Sequence, residues 1–125
     1  MILADTSVWV DHLSNLSNPA PEMRQQLVNA NIAMHPFIVA ELALGSLRDR
    51  TRTLALLDKM PQVRVAQLAE VRRMVETHSL YGRGIGLTDA HLVASTLITP
   101  FTQLWTRDKR LRLVAEALGI HANLP

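Results

Sequence analysis

Four acidic residues stand where a carboxylate could do chemistry: Asp5, Glu41, Asp89 and Asp108. Asp5 directly follows the apolar run Ile2-Leu3-Ala4, and Trp9 and Val10 come soon after, so its surroundings are not simply a polar loop. Taken alone, it fits a turn or a helix cap as well as it fits a site. Glu41 says more. Its helical neighbours at i−4, i−3, i+3 and i+4 are Phe37, Ile38, Leu44 and Gly45, all apolar or small, which places this carboxylate on a face expected to point inward. A carboxylate there needs a partner, a proton or a metal. The ordinary alternative is a rim glutamate that reaches outward or pairs with an arginine. Asp89 opens an apolar helical stretch, and Asp108 follows the strand-like Leu104-Trp105-Thr106. Each is unremarkable by itself at a helix N-terminus, where negative charge is favoured. As a set they point further. Brought to one edge of a sheet, four carboxylates repel and raise one another's pKa unless cations intervene. Oxygen donors of this kind suit Mg2+ or Mn2+. Two such ions about 4 Å apart can activate a water and stabilise the leaving oxygen of a phosphodiester.

The elements that must position these acids alternate between short β-like runs and longer helical patterns. Ile2 to Ala4 is a first strand, and a helix follows over Ser7 to Leu13, with Thr6 or Ser7 as its cap. Pro19 and Pro21 open a second helix. Ile32 to Met34 reads as a strand stopped before Pro36, and Pro36 to Leu47 as a helix. Thr53 to Met60 is a further helix, ended near Pro61. Val63 to Val65 alternates like a third strand. Leu68, Val71 and Val75 mark an amphipathic helix toward Leu80. Gly82, Gly84 and Gly86 make a flexible loop, and Thr88 is expected to cap a largely buried helix to Ile98. Gln103 to Thr106 is a fourth strand. Leu111, Val114, Ala115 and Leu118 fall at helical spacing, with Gly119 as a stop, and Ile120 to Leu124 is a last short strand. This pattern predicts one α/β domain over residues 1–125, with a mostly parallel, short-stranded sheet flanked by helices. In such sheets ligands sit outside the carboxyl ends of the strands, where Asp5 and Asp108 fall.

Composition narrows the chemistry. The 125 residues suit one domain, and 48% are hydrophobic, enough for a sizeable core. There is no cysteine, which excludes disulfides, thiolate zinc sites and a cysteine nucleophile. No apolar stretch approaches the roughly 20 residues of a membrane span, and Met1 to Asp5 has no basic region of a signal peptide. The chain is expected to be soluble and cytoplasmic. The formal net charge of +2 hides an asymmetry: outside the four acids, 13 basic residues face seven acidic ones, and 11 of the 13 are arginine. A basic body around an acidic pocket suits a polyanion, although an arginine-rich solvated face is common.

The other candidates are weaker. Arg72, Arg73 and Arg83, with Arg107, Lys109, Arg110 and Arg112 around Asp108, are the cations best placed for a polyanion, though each could be plain surface charge. The five histidines are scattered, and His91, two positions from Asp89, is read as structural. Gly82-x-Gly84-x-Gly86 lacks the setting of a dinucleotide fingerprint and no Walker lysine follows it, so it reads as a hinge or a substrate-side loop. Trp9 and Trp105 read as core. Leu54, Leu56 and Leu57 exceed what one helix face needs, and could cover a partner or the chain's own core.

The segments Asp5-Thr6-Ser7, Val39-Ala40-Glu41-Leu42, Gly86-Leu87-Thr88-Asp89-Ala90-His91-Leu92-Val93-Ala94 and Trp105-Thr106-Arg107-Asp108-Lys109-Arg110-Leu111 resemble, in order and over essentially the whole chain, a PIN-domain protein. More narrowly, they resemble the VapC toxins of bacterial type II toxin–antitoxin modules. The resemblance implies a Rossmann-like fold and a Mg2+- or Mn2+-dependent endoribonuclease acting on structured RNA such as tRNA or rRNA. It also implies frequent homodimerisation and inhibition by a small cognate antitoxin of the VapB type. Asp5, Glu41, Asp89 and Asp108 match the family's acidic quartet, and Asp5 and Asp89 are expected to hold the principal metal ion, with Asp108 and Glu41 completing its shell or helping to hold a second. Ser7 and Thr106 match positions that carry supporting polar groups, and Arg83, Arg107, Lys109 and Arg110 are candidate RNA contacts.

Three other functions share parts of this pattern. A phosphoacceptor domain of the receiver type would want paired acids near the first strand and an acid after a middle strand, and neither is present. A non-catalytic module could keep the fold and bind RNA or a protein. DNA cleavage would use the same two-ion chemistry.

Overall fold

The computed structural model describes all 125 residues, Met1–Pro125. In chain order the elements are β1 (Ile2–Ala4), α1 (Thr6–Ser14), α2 (Pro21–Val28), β2 (Ile32–Ala33), α3 (Pro36–Ala43), α4 (Arg50–Asp58), α5 (Leu68–Thr77), α6 (Leu87–Ile98), β3 (Gln103–Trp105) and α7 (Lys109–Ala117). The three strands form one sheet in the order β2-β1-β3. Both pairings are parallel, with Leu3 opposite Ala33 on one side and Leu104 on the other. All three strands therefore end at the same edge, and the residues after them meet there. No helix is long and apolar enough to cross a membrane.

Two expected strands reduce to single bridges. Val63 to Val65 forms none; beside it, Gln62 pairs with Met34. The alternation is present, but the next backbone donors leave the sheet. The Arg64 and Ala66 N–H groups bond to the Thr99 and Ser95 hydroxyls, at 2.9 and 3.0 Å. The Val63 N–H still bonds to the Met34 carbonyl at 3.0 Å, but the donors on the other side go to hydroxyls of α6 and its C-cap, so the pairing does not extend beyond one bridge. In Ile120 to Leu124 only His121 bridges, to Leu104, and Asn123, with φ at 56°, turns the chain away.

Helix starts also differ from expectation. Asp5, not Thr6 or Ser7, caps α1, and Gly86, not Thr88, precedes α6. Helix α3 stops at Ala43, short of the expected Leu47, and α4 begins at Arg50, ahead of the expected Thr53.

The sheet is enclosed because its central strand is apolar on both faces. Leu3, Ala4, Leu104 and Trp105 are buried, and Trp9 joins them from α1. Seven consecutive residues of α6, Ala90 to Thr96, are buried. A helix covered on every side belongs in the interior.

One buried polar group ties this core together. His35 caps α3, its Nδ1 accepting from the Phe37 N–H at 3.0 Å. Nδ1 therefore carries no proton, and the protonated Nε2 donates to Ser95 Oγ of α6 at 3.1 Å. Burial, together with His91 nearby, lowers the His35 pKa from 6.5 to about 4. A proton on Nδ1 would face the Phe37 N–H. The unfolded chain thus binds this proton more readily than the folded one. The stability linked to His35 is complete above about pH 6.5 and is lost as pH falls toward about 4, on the order of 3 kcal/mol. Asn at position 35 retains a capping oxygen and cannot titrate in this range. Urea unfolding of the wild type and His35→Asn between about pH 7 and 4.5 should show this loss only in the wild type, as the difference between the two curves.

Candidate active site

The site is built on the carboxyl edge of the sheet. Asp5 follows β1, and its own N–H bonds to the Trp105 carbonyl of β3 at 2.9 Å. Its side chain is only 4% exposed. Oδ1 accepts from the Val8 N–H at 3.2 Å, as the cap of α1, and from the Ser7 hydroxyl. Oδ2 accepts from the Thr106 hydroxyl. Each hydroxyl oxygen is itself occupied by a backbone donor. Arg107 N–H bonds to Ser7 Oγ at 3.0 Å, and Asp108 N–H to Thr106 Oγ1 at 3.1 Å. Those contacts turn both O–H groups toward Asp5. Burial raises the Asp5 pKa above the usual carboxylate value, and these hydrogen bonds offset the rise only in part.

Asp89 lies in the first turn of α6 and is half-buried. Its pKa is raised, first by burial and then by the charges of Asp5, Asp108 and Glu41, and the Gly86 backbone at the start of the helix offsets the rise only in part. The four predicted acids are thus close enough to repel at Asp89. Asp108 caps α7 with Oδ1, which accepts from the Arg110 and Leu111 N–H groups at 2.9 and 3.0 Å. Glu41 departs from expectation, being exposed rather than facing inward. Ile38 and Leu42 are buried, but Leu44 lies beyond the end of α3 and is 89% exposed. Glu41 instead stands at the rim, accepting from Thr6 Oγ1 at 2.6 Å. Thr6 was expected only as a cap, and its position directly after Asp5 was the available sign of a link to the acids.

None of the four acids is in an ion pair. The two ion pairs of the molecule are Arg107 with Asp11 and Arg112 with Glu116. The acids do not close on one point either: no three Asp, Glu or His side chains stand at the spacing of a metal shell. In donor chemistry the cluster fits a hard divalent cation, being all oxygen, partly desolvated and without a protein cation to balance it.

The predicted cations divide. Arg107 is engaged by Asp11 and by the Pro125 carbonyl, and it lies 5.9 Å over the Trp105 ring. Arg83, Lys109 and Arg110 are exposed and unpaired. His91 is buried, its ring 4.6 Å from Phe37.

Residues 2–117 match the model of the PIN domain. Two curated relatives, each named Ribonuclease VapC32, come from Mycobacterium tuberculosis strains CDC 1551 / Oshkosh and ATCC 25618 / H37Rv. Each is 40% identical over 120 residues, spanning 96% of this chain and 94% of the relative. With a parallel sheet that gathers four acids at its carboxyl edge, and a match running nearly end to end, this chain belongs to the PIN-domain family, among its VapC-type members.

Proposed function

We propose that this protein is a metal-dependent endoribonuclease toxin that hydrolyses RNA phosphodiester bonds at the Asp5–Glu41–Asp89–Asp108 cluster. The observation that carries the reading is the convergence of three other carboxylate charges on Asp89 with no protein cation to offset them. The VapC ribonuclease relatives favour RNA over DNA as the polymer, with structured RNA such as tRNA or rRNA as its class.

Asp5 and Asp89 would hold Mg2+ or Mn2+, with Asp108 and Glu41 completing the shell directly or through water. Bound there, the cation supplies Lewis acidity toward water and offsets charge on the phosphoryl oxygens. The protein's own part is orientation. Ser7 and Thr106 fix both oxygens of Asp5, the first turn of α6 carries Asp89, and Thr6 keeps Glu41 at the rim. Burial of Asp5 excludes competing water from its side of the site. In-line attack of water on phosphorus leaves a 5′-phosphate and a 3′-hydroxyl. Arg83, Lys109 and Arg110 would meet the RNA backbone, while Arg107 braces Asp11 and the C-terminus.

A small cognate antitoxin of the VapB type is the proposed neutralising partner, and a homodimer the proposed assembly, both acting in the cytoplasm. Leu56 and Leu57 line an apolar groove of about 520 Å³ with Trp9, Leu27 and Met60, which offers a partner apolar surface.

Three measurements test the reading. Purified protein incubated with total cellular RNA should make discrete cuts with 5′-phosphate ends in Mg2+ or Mn2+. The cuts should be absent in EDTA and reduced on the order of a hundredfold or more in Asp5→Asn. Equal cutting by wild type and Asp5→Asn would place the activity elsewhere. Intact RNA under every metal condition would favour a non-catalytic binding module.

Thr106→Val keeps the shape and removes one hydrogen bond to Asp5. It should weaken metal affinity or activity by about 10- to 100-fold, read from titration of cleavage with Mn2+.

Asp89→Asn removes the charge on which the others converge. In EDTA it should melt at the same temperature as wild type or higher. Added Mn2+ should raise the wild-type melting temperature more than the variant's, because a cation bound only by the folded state stabilises it by mass action. An equal rise in both would remove Asp89 from the metal shell.

A further inference from the structure

The loop Gly82–Gly86 meets Arg110 beside the acidic cluster. Gly84 has φ at +79°, and the Arg110 side chain lies where a side chain on Gly84 would begin. A Cβ there would stand 2.8 Å from Arg110 Cδ, 3.0 Å from Nη1 and 3.2 Å from Nε. The stem and the guanidinium thus lie along the backbone of the loop. The same loop leads into the helix that bears Asp89: Gly86 precedes α6, Asp89 lies in its first turn, and the Gly86 carbonyl accepts from the Ala90 N–H at 3.0 Å. Arg110 starts from the other helix, its N–H bonded to Asp108 Oδ1 at 2.9 Å. The contact therefore joins the helix start that bears Asp89 to the one that bears Asp108.

Although it sits two residues from Asp108, the Arg110 guanidinium makes no ion pair. Arg107, on the other side of Asp108, is engaged by Asp11 and the Pro125 carbonyl. A long flexible cation that is seated but unpaired keeps its fork of donors free for an anion from outside. An RNA strand approaching four carboxylates is repelled by them, and a guanidinium resting against the loop beside Asp89 would offset that repulsion at one phosphate.

We propose that Gly84 is a positioning residue that seats Arg110 to receive an RNA phosphate beside the acidic cluster. The proposal rests on the ribonuclease reading above. A Cβ at position 84 would push the Arg110 side chain off this seat. A lysine at position 110 would present a point charge in place of a planar fork.

The test uses Arg110→Ala, Arg110→Lys, Gly84→Ala and the double variant Gly84→Ala/Arg110→Ala. Cleavage kinetics are measured in Mg2+. Binding of an end-labelled mixture of tRNA and fragmented rRNA is measured in EDTA, with melting temperatures alongside. Arg110→Ala should raise KM and Kd roughly tenfold with kcat nearly unchanged. It should also reduce the salt slope of binding by about 1. Arg110→Lys should restore the slope but only part of the affinity. Gly84→Ala should raise KM in the wild-type background and add nothing in the Arg110→Ala background. Its backbone strain should lower the melting temperature in both backgrounds, which separates seating from stability. KM effects that multiply in the double variant would overturn the seating. Unchanged KM and Kd in Arg110→Ala would overturn the phosphate contact. A wild type that binds RNA in EDTA but cuts none in Mg2+ or Mn2+ defeats the ribonuclease reading and leaves the Kd comparison to decide this one. A wild type that neither binds nor cuts overturns both.

Discussion

A buried carboxylate without a counter-ion organises this molecule. Asp5 sits at the end of the central strand, where both neighbours of β1 are parallel to it. Taking a charge out of water costs several kcal/mol unless hydrogen bonds replace the lost hydration. Here the replacement comes from the Val8 N–H and the hydroxyls of Ser7 and Thr106. Those hydroxyls are in turn held by the backbone of Arg107 and Asp108. One carboxylate therefore locks the start of α1 to the turn between β3 and α7. The compensation is incomplete, since Asp5 still holds its proton more tightly than an ordinary aspartate.

The other acids reach this point through supports that do not titrate near neutral pH. Helices α3 and α6 carry Glu41 and Asp89, and the neutral His35–Ser95 bond joins them inside the core. An uncharged imidazole there spares the core the desolvation of a buried cation. The arginines divide between structure and surface. Arg107 is spent on bracing the fold, whereas Arg110 lies against a glycine with its donors open.

Much of this was legible from residue types and spacing. Ile2 to Ala4 is an apolar run stopped by Asp5, Leu104 and Trp105 lie between polar residues, and both segments are strands. The spacing of Leu111, Val114 and Ala115 marks the buried face of α7. Family membership was readable because four acids recur in order within recognisable local contexts, and the match extends over residues 2–117. Glu41 was misjudged because its neighbours were counted on a helix that ends at Ala43, which left Leu44 outside it. Val63 to Val65 has the alternation of a strand, but periodicity does not reveal that the Thr99 and Ser95 hydroxyls take the Arg64 and Ala66 donors.

The sequence by itself determined which groups are present and where along the chain they fall: four carboxylates, no thiol, and acids placed after strands or on helices. Parallel strand order follows from that alternation, because short strands separated by helices return to the same edge. Only the tertiary structure decided which donors turn toward Asp5, which cation is spent and which is free, and that a missing Cβ at Gly84 makes room for Arg110. Those are contacts between residues up to 101 positions apart, as between Thr106 and Asp5. Local propensity carries no information about partners at that separation, since direction in space is set by the packing of the whole chain.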